Sequence, residues 1–106
     1  MAFGGEVWRL VRREELLGEI VIDGSDFPWL EGRFVPAPAF AAVKPWFDES
    51  LALLEADETE RFDAAYDRIA DALSLVAPSG PVAEFLLHIE DDRAWFRWSD
   101  EPFDED

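Results

Sequence analysis

Cysteine is absent from the 106 residues, and with it go disulfides, thiolate metal sites and thiol nucleophiles. Positive charge is scarce: Lys44 and eight arginines stand against 25 Asp and Glu, for a formal charge of -16. Nucleic acid is therefore excluded as a partner, because its phosphates require a basic surface. No run approaches the roughly 18 apolar residues of a membrane span, and residues 1–6 lack a basic and apolar leader pattern. No membrane partner and a cytoplasmic location are expected. Glycines are few and scattered, so no phosphate-binding loop is present. His88 is the sole histidine, and no serine has a nucleophile-elbow context.

What remains is a chain built to fold. Hydrophobic residues make up 49% and aromatics 14%, with five tryptophans, far from the composition of a disordered acidic chain. The length suits one domain over residues 1–99, with residues 100–106 an acidic tail that is expected to fray. The acidity is uneven. Residues 1–53 carry 5 basic and 9 acidic residues, whereas 54–106 carry 4 and 16.

Periodicity gives the elements. Residues 6–13 and 16–23 read as a hairpin with its turn at 13–15, although apolar residues fall on both alternations. Residues 23–38 hold Gly24, Pro28, Gly32, Pro36 and Pro38, and read as a long loop with a short strand at 33–35. Phe40, Val43, Phe47, Leu51 and Leu54 predict a helix that starts near Pro45 or kinks there. Phe62, Ala65, Tyr66, Ile69, Leu73 and Val76 predict a second helix over 58–76, stopped by Pro78, Gly80 and Pro81. Residues 82–90 and 93–99 predict a hairpin turning at Asp91-Asp92. It pairs Glu90 with Arg93, His88 with Trp95, Leu86 with Arg97 and Phe85 with Trp98, and gathers Phe85, Leu87, Ile89, Ala94, Phe96 and Trp98 on a core side. Together these predict an α+β domain with an antiparallel sheet of four or five strands and two helices packed on one face.

The segments Asp26-Phe27-Pro28-Trp29, Gly32-Arg33-Phe34 with Pro36, Phe85-Leu86-Leu87-His88-Ile89 and Ala94-Trp95-Phe96-Arg97 resemble a pattern found in small uncharacterised bacterial proteins. That resemblance implies a bacterial source and carries no mechanism.

Three regions are candidates for function. On the outer side of the last hairpin, His88 oriented by Glu90 or Glu84 has the makings of a general base, and Arg97 beside Trp95 could hold an anionic substrate; the competing reading is a cross-strand packing partner for Trp95 beside surface ion pairs Glu90–Arg93 and Glu84–Arg97. In the loop, Asp23, Asp26 and Glu31 invite an oxygen-ligated cation, but the spacing fits a plain turn better. Trp29 and Arg33 in the same loop are residue types enriched at binding hot spots, set against aromatics that merely plug the core. On the second helix Glu60, Asp63, Asp67 and Asp71 form an acidic stripe, which is either a dock for a basic partner or a solvated face partly relieved by Arg61 and Arg68.

The expectation is a small non-catalytic protein-interaction domain that needs no cofactor or metal and is self-associating, as a homodimer, or inhibitor-like. Trp29, Arg33, Asp26, His88, Trp95 and Arg97 are its binding residues. The alternative is a small-molecule or anion-binding domain, conceivably an enzyme, on the His88/Trp95/Arg97 face.

Overall fold

Alternation is strongest near the end of the chain, and there the backbone follows it residue for residue. A computed structural model describes residues 5–26 and 29–99; Phe27, Pro28 and the acidic tail from Asp100 lie outside them. In chain order the elements are β1 (Val7–Arg12), β2 (Glu15–Asp26), β3 (Trp29–Pro36), a 3-10 turn (Pro38–Ala42), α1 (Lys44–Glu55), α2 (Thr59–Ala72), β4 (Ser74–Ala77), β5 (Gly80–Pro81), β6 (Glu84–Glu90) and β7 (Arg93–Ser99). The fold is α+β, with one antiparallel sheet in the order β5-β4-β1-β2-β3-β7-β6. The β6–β7 hairpin has the expected register, including His88 opposite Trp95 and Phe85 opposite Trp98.

Seven strands stand among the described residues where four or five were expected: β5 is a two-residue return paired with β4, and the other departures have two physical reasons. First, the proline-rich stretch is a hairpin and not a loop. Its described prolines sit at or past the end of the ladder: Pro36 closes β3 opposite Gly18, and Pro38 opens the 3-10 turn. Gly32 is a strand residue because β2 lies so close that a Cβ there would sit 2.2 Å from the Val21 carbonyl oxygen. Second, α2 stops at Ala72 because Leu73 is already extended (φ -117°, ψ 159°). Leu73 and Val76 keep a helical spacing by coincidence, and β4 begins inside what looks like the end of the helical stripe. Pro45 falls in the first turn of α1, where its missing N–H costs no hydrogen bond.

One sheet face is apolar throughout. Trp8, Leu10, Leu17, Ile20, Ile22, Leu30, Phe34, Phe85, Leu87, Ile89, Ala94 and Phe96 are buried on it, and they join one core with Phe40, Val43, Phe47, Tyr66 and Ile69. The sheet is curled around this core. β1 and β7 are separated by two strands, about 14 Å in a flat sheet, yet the Trp8 and Phe96 rings are centred 4.9 Å apart. Trp8 is 1% exposed, and its indole N–H donates to the Glu6 carboxylate at 3.0 Å.

The edge strand β6 is sealed by one side chain. Tyr66 on α2 donates its hydroxyl to the Phe85 carbonyl at 3.1 Å and accepts the Leu87 N–H at 2.8 Å. Two backbone groups of an unpaired edge are thereby satisfied, and burial pushes the Tyr66 phenol well above its ordinary pKa. No described helix is long and apolar enough to cross a membrane.

Candidate functional site

The second sheet face carries the candidate residues, because period-two geometry puts everything that alternates with the core there. On β3 these are Trp29, Glu31 and Arg33; on β7, Arg93, Trp95 and Arg97; on β6, Leu86, His88 and Glu90. Glu31 lies directly opposite Trp95, Trp95 opposite His88, and Asp26 opposite Trp29 at the end of the β2–β3 hairpin. Asp26, Trp29, Leu30, Glu31 and Trp95 line a recess of about 300 Å³. Asp26, Trp29, Trp95 and His88 were expected to act in separate regions; the extended β2–β3 hairpin brings them together.

His88 is 2% exposed, although it belongs to the outer face. Three rings enclose it: Trp29 stacked at 6.0 Å and 24°, Trp95 at 5.5 Å and Phe62 of α2 at 6.0 Å. Desolvation lowers its pKa below the ordinary 6.5, so the imidazole is neutral at pH 7. Its Nδ1 is buried without a hydrogen-bond partner. The expected orienting carboxylate is therefore missing from Nδ1, and Glu90 is exposed at the strand end. His88 supports the rings that form the recess and is not part of the recess lining.

The basic residues of this face stand outside the described lining of the recess. Arg93 makes a bidentate pair with Asp23, at 2.7 and 2.9 Å, instead of the expected bond to Glu90. The Arg93 hydrogen bond holds the Asp23 carboxyl below its usual pKa, with a smaller contribution from Arg33. Asp23, a candidate cation ligand, is thus committed to a guanidinium. Arg33 stands opposite Arg93 and Arg97 opposite Leu86, and neither lines the recess. The exposed side chain of Asp26 makes no hydrogen bond or ion pair with another described residue. Glu31 leans across β2: its Oε2 lies 2.8 Å from where a Cβ on Gly24 would stand, so the absence of a side chain at position 24 makes room for the carboxylate.

The acidic stripe on α2 is exposed at Glu60, Asp63, Asp67 and Asp71. Arg68, expected to offset it, lies over the Trp46 ring at 5.5 Å, and Arg12 lies 5.4 Å from the same ring. Phe62 and Glu31 are the participants that sequence reasoning assigned elsewhere, the first to plain core and the second to a metal loop. A strand assignment over residues 29–36 would have put Glu31 beside Trp29 and Trp95.

Comparison of the chain with family models, with curated proteins and with solved structures gives no match.

Proposed function

We propose that this chain is a non-catalytic protein-interaction domain whose working surface is the Trp29–Trp95 recess on the outer sheet face. The observation that carries this is the recess itself: two half-exposed indoles flank an open concavity that neither helix covers. Tryptophan is the residue type most enriched at binding hot spots, where a rigid aromatic wall is desolvated by the partner. Both indoles rest on His88, which keeps them standing in the absence of a partner and reduces the ordering cost of binding.

Catalysis is disfavoured by the same packing. A general base must reach the proton it removes, and His88 is enclosed by Trp29, Trp95 and Phe62. A different chain is favoured over a second copy as the partner. Val7, Leu16 and Val35 are exposed on this face at 41%, 39% and 38%, but Arg9, Glu19 and Arg33 are interspersed with them in the ladder, and scattered apolar exposure of that kind needs no cover.

Affinity capture from the source cell's lysate tests the reading. A partner retained by the wild-type chain and by a Leu54→Ala control on α1, but lost from Trp29→Ala and from Asp26→Arg, is the expected result. Equal retention by all four proteins, or a wild-type chain that retains none, would contradict it.

A further inference from the structure

We infer that the recess takes a cationic side chain, a lysine or arginine of the partner protein, held between the indoles and the carboxylates of Asp26 and Glu31. This rests on the interaction reading above and names the chemistry of the same site.

The lining decides the ligand class. Among the described residues it holds two indoles, two carboxylates and one leucine, and no basic group. An indole face attracts a cation through its quadrupole and repels an anion. A carboxylate forms a charge-assisted hydrogen bond with ammonium or guanidinium. A neutral apolar ligand would strip water from both carboxylates and return nothing to them. An anion would meet repulsion from every polar wall, in a protein whose formal charge is -16.

The neighbouring cations stand outside the described lining. Arg93 spends both its terminal nitrogens on Asp23, although its charge also bears on Glu31, and Arg33 stands opposite it in the ladder. Gly24 adds a positioning element, since the Glu31 carboxyl occupies the space its side chain would fill. A volume of about 300 Å³ is at the small end of ligand pockets, which suits one inserted side chain with its alkyl stem along the indoles and its charge at the carboxylates.

The test uses three probes of similar length on the whole protein: Nα-acetyl-lysine methylamide, its neutral norleucine analogue and its anionic glutamate analogue. The readout is the indole N–H resonances of Trp29 and Trp95, with Trp8 as a buried control. The lysine probe is expected to shift both resonances with a Kd about tenfold below that of the norleucine probe, an advantage that shrinks as salt is added. Glu31→Gln and Gly24→Ala are each expected to reduce that advantage by about threefold or more and to leave the norleucine Kd unchanged. Norleucine or glutamate probes binding as well as lysine, or a lysine probe that shifts neither indole, would overturn the assignment. If that happens while Trp29→Ala still abolishes partner capture, the interaction surface stands and only its cation preference falls.

Discussion

Trp29 stacks on His88 with ring centroids 6.0 Å apart and planes inclined by 24°, so one wall of the recess and the protein's only histidine form a single packed unit. The protonation of that histidine therefore acts on the fold through the recess. Its pKa is lowered by burial, which means the unfolded chain takes up a proton first as pH falls. Stability contributed by the neutral imidazole is complete above the unfolded value of about 6.5 and is lost as pH falls through the lower, folded value. Thermal unfolding followed from about pH 7.5 to about pH 5 should show Tm falling more in the wild type than in His88→Leu. His88→Leu should also be at least as stable at neutral pH, because it removes a buried nitrogen left without a partner, a burden of about 1–3 kcal/mol. Identical pH slopes would show that His88 does not titrate as its burial requires.

The seal on β6 gives a second test. Tyr66→Phe keeps the ring but leaves the Phe85 carbonyl and Leu87 N–H without partners at a buried edge. A loss of about 2–3 kcal/mol is expected in urea unfolding, more than an ordinary single hydrogen bond because two backbone groups are orphaned together. A loss below about 0.5 kcal/mol would mean that the edge is already satisfied by other means.

Two glycine substitutions in the same hairpin should differ sharply. At Gly32 an added methyl meets the Val21 carbonyl oxygen at 2.2 Å, whereas at Gly24 it meets the end of the Glu31 side chain at 2.8 Å. Backbone cannot yield as a side chain does, so Gly32→Ala is expected to cost about 3 kcal/mol or to prevent folding. Gly24→Ala is expected to cost less than about 1 kcal/mol, because the Glu31 carboxyl rotates away. Urea midpoints of the two variants provide the comparison.

The acidic stripe should be dispensable for binding. Replacing Asp63, Asp67 and Asp71, all exposed on α2, by Asn removes like-charge pairs at four-residue spacing and should raise Tm slightly without changing partner retention. Loss of the partner from the triple variant would transfer the binding surface to α2.

How far these features were readable from the chain differs by element. The β6–β7 hairpin was legible to the pair, because Phe85, Leu87 and Ile89 alternate with Glu84, His88 and Glu90 save at Leu86, and Asp91-Asp92 marks the turn. Asp91 adopts φ 56° there, a conformation that Asp tolerates. The β2–β3 hairpin was hidden because its glycines and prolines are the residues that usually mark loops, and only the proximity of β2 explains Gly32. β4 was hidden because Leu73 and Val76 continue the helical spacing, whereas its buried positions, Leu75 and Ala77, follow period two. The candidate site suffered in proportion: Trp29, Asp26, His88 and Trp95 were each singled out, but their convergence depends on the hairpin that was misread. His88 was placed on the correct face, and its burial was missed because the cover comes from Phe62, an apolar residue of a distant helix.

The most direct test of the central claim is an amide and indole NMR map of the captured partner bound to the wild-type chain. The account predicts that the largest shifts fall on the Trp29 and Trp95 indoles and on the amides of Asp26, Glu31 and Trp95, with Trp8 and the amides of Asp63, Asp67 and Asp71 unmoved. Shifts centred on those α2 aspartates, with both recess indoles unchanged, would contradict it.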